Sequence, residues 1–200
     1  MSLYTKISVD NLIICRKCNE CDKYHGKPRL INFKEINFSV SYSQNMIVIA
    51  IYKNHEIGVD IEFINSDFPY EEIIEDTLAI GELKKFYSMG QNEKLKNFYF
   101  YWTIKEALTK ATGKGLNDKF NRIEIDQDND SIKVIKYPNL TINDDQDISL
   151  RSMTFQDNYV ISLAVFDSLK IIEFFNESEI KSYFLGGKCR GLKLPTNSIL

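Results

Sequence analysis

Asp60 and Glu62, in the stretch GVDIE, are carboxylates two positions apart with β-branched residues between and before them. On an extended strand alternate side chains share a face, so the two acids point one way, with alpha carbons about 7 Å apart, while Val59 and Ile61 point into apolar packing. Two like charges on one face repel, and a hard divalent cation with oxygen ligands removes that cost. Further on, in WTIKEALTKATGKGL, Trp102, Glu106 and Lys110 fall at i, i+4 and i+8. They form one stripe of a helix, with Glu106 and Lys110 about 6 Å apart along its axis. An acidic sheet face and a surface ion pair worth a few tenths of a kcal/mol would explain each group alone. Taken together, three acids hold Mg2+, the ion bridges diphosphate oxygens, and the ammonium neutralises charge on a phosphoryl group or leaving oxygen.

The elements that must position these groups follow from the pattern around them. Phe98, Tyr101, Trp102 and Ile104 give the helix so much apolar surface that it must be substantially buried, and a glutamate at a buried edge needs a partner. Gly113 suits a left-handed cap at its end. Before it, INFSVSYSQNMIVIAIYKNHEIGVDIEFI predicts a β-meander with the polar turn KNHE, and PYEEIIEDTLAIGELKKFYSM predicts two short helices broken near Gly81. After it, KFNRIEID, SIKVIKY, DISLRSMTFQ and NYVISLAVF predict strands separated by acidic turns. The apolar strands IVIAIY (47–52) and ISLAVF (161–166) echo one another. The expected fold is therefore α+β: one unit over residues 1–200, made of two similar α/β lobes near 1–95 and 96–200, each antiparallel sheet with packed helices. A site at the lobe interface follows.

Two hundred residues, 44% hydrophobic and 26% charged, suit a globular chain with a sizeable core. A net charge of -3 argues against bulk nucleic-acid binding, so any anion site must be local. The apolar run Met46 to Tyr52 is far short of the roughly 20 residues that span a bilayer as a helix, and MSLYTKISVDNLIIC lacks the basic and apolar regions of a secretory signal. The expected location is the cytoplasm. Cys15, Cys18, Cys21 and His25 have spacings that zinc can use, but the second knuckle is missing and Cys189 is distant, so reduced structural cysteines are expected. Asp126, Asp128 and Asp130 open like a calcium loop, yet Ser131 and Tyr137 stand where glycine and glutamate are needed, which leaves a solvated turn. Neither GKG nor GGKC completes a P-loop, and two histidines without G-x-S-x-G give no serine-hydrolase triad.

The motifs HGKPRL, FSVSYS, IGVDIE and YWTIKEALTKATGKGL, in this order and at these separations, resemble those of Sfp-type 4′-phosphopantetheinyl transferases. The resemblance covers His25 to Leu116 and extends more loosely over the strand-rich remainder. It implies transfer of the phosphopantetheine arm from coenzyme A to a serine of an acyl, peptidyl or aryl carrier protein, with release of adenosine 3′,5′-bisphosphate. It implies Mg2+ on Asp60, Glu62 and Glu106, with Lys110 beside the diphosphate as a general acid. Lys27 and Ser41 match positions that contact coenzyme A phosphates. Glu62 or a water held by the ion is the implied base for attack on the β-phosphate. The carrier would belong to fatty-acid, polyketide or nonribosomal-peptide synthesis, and a duplicated single chain supplying both lobes implies a monomer.

The chain departs from the family pattern twice. Tyr42 stands where the family usually has a histidine that meets the 3′-phosphate, and tyrosine supplies no charge near neutral pH. Only 26 residues precede Lys27, where the family commonly has several dozen more, so Arg29 and Lys17 are the cations left to compensate. Two alternatives stand beside the transferase: a family member that binds coenzyme A or a carrier protein without transfer, and a zinc-stabilised interaction module. FINSDFPYEEII, with Phe63, Phe68 and Tyr70, is either a carrier contact or ordinary core.

Overall fold

Two short strands, β1 (Ile14–Cys15) and β2 (Arg29–Leu30), pair antiparallel and lead into the longer elements. The computed structural model describes residues 8–18, 23–24, 26–113, 119–128, 131–138, 147–168, 172–174 and 176. Contacts divide the chain into Met1–Ser168 and Leu169–Leu200, and the fold described is that of the first. Strands β3 (Ile36–Ser43), β4 (Met46–Lys53) and β5 (Ile57–Phe63) come next. Helices α1 (Ile74–Thr77), α2 (Ile80–Ser88) and α3 (Gln91–Thr112) follow. Strands β6 (Glu124–Asp128), β7 (Ser131–Lys136), β8 (Ser149–Phe155) and β9 (Tyr159–Val165) complete an α+β fold of antiparallel ladders.

The expected meander forms only in part. β3 and β4 make a hairpin in the register Tyr42↔Ile47, with Gln44 at a φ of 52° in its turn. β5 instead pairs with β9 in a sheet ordered β5-β9-β8. The reason is burial: every residue from Ile57 to Ile61 is buried, so β5 belongs inside the molecule and not at the edge of a hairpin. The two short helices are present, but the break falls at Leu78 and Ala79, where Glu82 accepts the Ala79 N–H at 2.7 Å, and Gly81 lies inside α2. α3 starts well before Trp102 and runs unbroken through positions 95 and 96, where the lobes were expected to meet. The four later strands lie where their patterns put them.

α3 is the centre of the core. Phe98, Tyr101, Ile104, Ala107, Leu108 and Ala111 are buried on it. A lysine is buried too. Lys105 is fully buried and donates to the Glu82 carboxylate, to the Thr77 carbonyl at 2.8 Å and to the Phe120 carbonyl at 3.1 Å. That ion pair ties α3 to α2, to the end of α1 and to the turn before β6, and its partners satisfy the charge in a place where an unpaired ammonium would be costly.

On its other side α3 lies against β5 at backbone distance. A β-carbon built on Gly58 would stand 1.9 Å from the Ala107 carbonyl oxygen and 2.5 Å from the Ala111 nitrogen. Only glycine allows that approach. Gly58→Ala must push the helix off the strand, at a cost of about 3 kcal/mol, so the unfolding midpoint should fall by about 10 °C in thermal denaturation. An unchanged midpoint would mean that the helix has room to move.

Candidate functional site

The β3 sequence FSVSYS places Ser39, Ser41 and Ser43 on one face by its period of two, and that face meets β5. The serines take the place of a backbone ladder. Ser39 Oγ accepts the Val59 N–H at 3.1 Å, and Ser43 Oγ accepts the Phe63 N–H at 3.0 Å. Since rising numbers on β3 meet rising numbers on β5, the two strands run in the same direction. Ser41 Oγ donates to Asp60 Oδ1 at 2.8 Å, and Ser43 Oγ donates to Glu62 Oε2 at 3.0 Å. Asp60 and Glu62 therefore share a face, while Val59 and Ile61 are in the core at 2% and 0% exposure, as the alternation predicts.

Lys110 reaches this face from α3. Its Nζ donates to Asp60 Oδ1 at 2.6 Å and to Ser41 Oγ at 2.9 Å, so it pairs across to the strand and not back along the helix to Glu106. Gly113 ends the stripe in the left-handed region at a φ of 73°, its N–H donating to the Thr109 carbonyl at 3.0 Å. Trp102, at the other end, packs on Phe98 and edge-on to Phe120. The tryptophan anchors the stripe in the core.

The three acids lie near enough to shift one another. Burial pushes the Glu106 carboxyl up to about 7, the charges of Asp60 and Glu62 add to the shift, and Lys110 opposes it. Burial also raises Asp60 against the pull of Lys110 and Ser41. Glu62 is raised by burial and then by Asp60, with Ser43 opposing. Among the described residues no group of three or more His, Cys, Asp and Glu side chains is already arranged to hold a metal ion. The residues nevertheless fit a hard dication: the donors are all carboxylate oxygens, and Asp60 Oδ2 is buried with no hydrogen-bond partner. An ion there would satisfy that oxygen and relieve the mutual repulsion.

The candidate coenzyme-binding residues are placed differently from one another. Lys27 has a side chain only 6% exposed and donates to Glu56, to the Ile57 carbonyl at 2.8 Å and to the Ala111 carbonyl at 2.9 Å. All three of its protons are used within the protein. Burial lowers the Lys27 ammonium from its ordinary value, and Glu56 offsets this. Arg29 pairs with the same Glu56 at 2.9 Å and is 43% exposed. Tyr42 is 78% exposed, on the face of β3 opposite Ser41.

Other expectations resolve by packing. Tyr70 is buried against Phe86 and Phe98 and Phe68 packs on Phe98 and Tyr99, so both serve the core, while Phe63 is half-buried and meets Tyr159 edge-on. Asp126 is bonded by Lys85, and Asp126 and Asp128 belong to the β6–β7 hairpin. Cys15 is a free thiol, while Cys21, His25, Cys189 and Asp130 lie outside the described residues. Sequence reasoning missed Ser39, Ser43, Glu82 and Lys105. The S-x-S-x-S period was the available signal for the serines.

Residues 56–164 match the 4′-phosphopantetheinyl transferase superfamily. The chain is 36% identical over 103 residues to the 4′-phosphopantetheinyl transferase HetI of Nostoc sp., a match covering 50% of this chain and 43% of that protein. It is 31% identical over 162 residues to the L-aminoadipate-semialdehyde dehydrogenase-phosphopantetheinyl transferase of Candida glabrata, covering 74% of this chain and 59% of that one. It thus spans less than two thirds of either relative. Its backbone is similar to a solved holo-(acyl-carrier-protein) synthase from Bacillus anthracis in complex with CoA (3′,5′-ADP), at 19% identity and a TM-score of 0.48, over 57% of this chain and 96% of that one.

Folding raises the Glu106 carboxyl from 4.5 to about 7, so the folded protein binds that proton more tightly than the unfolded chain. The resulting stability is complete below the lower value and is lost as the pH rises through the higher one. Urea denaturation of metal-free protein should show stability falling across that window, with Glu106 contributing roughly 3 kcal/mol at most, and Glu106→Gln should remove that part of the slope. A Gln variant with the wild-type slope would assign the titration to another group.

Proposed function

The chain belongs to the 4′-phosphopantetheinyl transferase superfamily, and from that membership we propose that it moves the 4′-phosphopantetheine arm of coenzyme A onto a serine of an apo carrier protein, releasing adenosine 3′,5′-bisphosphate. The observation that carries the reading is the division of labour at Asp60. One of its oxygens is bonded by Lys110 and Ser41, and the other is buried and unpartnered, in the field shared by Glu62 and Glu106. Asp60, Glu62 and Glu106 would hold Mg2+, which supplies charge neutralisation at the diphosphate when bound.

Glu62 takes the proton of the carrier serine. As that O–H bond breaks, the serine oxygen forms a bond to the β-phosphorus, and the bond from this phosphorus to the bridging oxygen breaks. Lys110 sits at the Asp60 end of the same face and donates to the leaving oxygen, whose charge its ammonium stabilises. Arg29, exposed and close to Gly113, is an accessible cation for a coenzyme phosphate. Ser41 serves the site by holding Asp60 and Lys110 together. The complete acid set and Lys110 favour transfer over binding alone. A repeated-lobe origin is supported by the echo of 47–52 in 161–166, since β4 contains the first run and β9 all of the second but its last residue.

Incubation with coenzyme A, Mg2+ and an apo carrier protein should add the arm to the carrier, read as a mass increase, and Glu106→Gln should cut the turnover at least about a hundredfold while keeping the fold. Absence of the added mass on carriers of all three synthetic classes would refute the transferase reading. Because Tyr42 offers one neutral hydrogen bond in place of a cation, 3′-dephospho-coenzyme A should be used within about tenfold of coenzyme A in kcat/KM. A much larger preference for coenzyme A would show that another cation meets the 3′-phosphate.

A further inference from the structure

Ser43 is the last residue of β3, and its hydroxyl makes two bonds at once. It accepts the Phe63 N–H at 3.0 Å and donates to Glu62 Oε2 at 3.0 Å. Ser39, two turns of the pleat earlier, does only the first of these: it accepts the Val59 N–H at 3.1 Å. The two serines thus contribute the same kind of strand-to-strand fastening, and Ser43 alone adds a carboxylate to it. Glu62 is partly buried at the end of β5, and a long flexible side chain in that place could take several rotamers. The Ser43 hydroxyl selects one, in which Oε2 is turned back towards β3. Backbone N–H, hydroxyl and carboxylate form a chain of donors and acceptors in which each bond polarises the next.

We propose that Ser43 is a positioning residue, which passes a hydrogen bond from the β5 backbone on to Glu62 and so aims that carboxylate at the hydroxyl of the incoming carrier serine. The inference rests on the transferase reading and assigns to it a residue outside the acid set. A group held in its reacting geometry gains rate through orientation, and loss of such support shows in turnover more than in coenzyme binding.

The test compares Ser43→Ala, Ser43→Thr and Ser39→Ala in the full chain. Ser43→Ala and Ser39→Ala each leave one β5 N–H without its acceptor and should lower the unfolding midpoint alike. Ser43→Ala should also lower kcat by about 10- to 100-fold with KM for coenzyme A unchanged, and weaken Mn2+ binding measured by electron paramagnetic resonance by about tenfold. Ser39→Ala should keep both values, and Ser43→Thr, which retains the hydroxyl, should restore them. If Ser43→Ala does not fold, Ser43→Cys, with its weak donor, replaces it with the same expected split. An active wild type whose Ser43→Ala variant keeps full kcat and Mn2+ affinity, or loses no more than Ser39→Ala, overturns the role of Ser43 and leaves the transferase reading standing. A wild type that loads no carrier overturns both.

Discussion

Contact between a helix backbone and a strand backbone at Gly58 governs everything else in the site. Ala107 and Ala111 come so close to Gly58 that no side chain fits between them. The short residues on both sides make the approach possible, and the approach determines what the neighbouring turns of α3 can reach. Glu106 precedes Ala107 and Lys110 precedes Ala111, so each functional side chain is adjacent in sequence to a residue pinned against the strand. Asp60 lies two residues beyond Gly58 on β5 and Glu62 four, which brings the acids of the strand to the same end of the contact. An error of one methyl group at Gly58 would be transmitted to all four charged groups, because packed interiors shift neighbours and do not absorb the change locally.

Charge arithmetic explains why such rigidity is needed. Asp60, Glu62 and Glu106 fully ionised, with Lys110 protonated, carry three negative charges and one positive, leaving two negative charges that one dication cancels. Without that compensation the field falls on the group with the fewest bonds. Asp60 is held by Lys110 and Ser41, and Glu62 by Ser43, whereas burial and the two neighbouring carboxylates push Glu106 up to about 7. Burial strengthens both the repulsion and the prospective attraction, so the burial that disfavours the ionised acids would also strengthen their attraction for a cation.

Which side chains share a face was more legible in the sequence than the strand order. Alternation alone put Asp60 and Glu62 on one face, and helical spacing alone put Trp102, Glu106 and Lys110 on one stripe, because these are local consequences of 2.0 and 3.6 residue periods. The neighbour of β5 was not local. Consecutive antiparallel strands pair by default, and only burial on both faces reveals that Ile57–Phe63 takes Tyr159–Val165 as its partner instead. Lys105 was hidden for a similar reason. It lies beside Glu106 in a run that reads as a charged helix surface, while its partners Glu82, Thr77 and Phe120 come from three separate segments.

Three lysines serve this half of the molecule, and counting their donors separates their roles. An ammonium has three protons to give. Lys105 gives them to Glu82, Thr77 and Phe120, and Lys27 gives them to Glu56, Ile57 and Ala111, so both are spent on holding elements together. Lys27 in particular meets the carbonyl of Ala111 in the last turn of α3, where a cation is favoured by the helix dipole. Lys110 bonds Asp60 and Ser41 among the described residues, which leaves one donor, and its side chain is 31% exposed where that of Lys27 is 6%. A phosphate oxygen brought to this face would therefore be met by Lys110 through its remaining donor, whereas Lys27 would first have to release the end of the helix that presents Lys110.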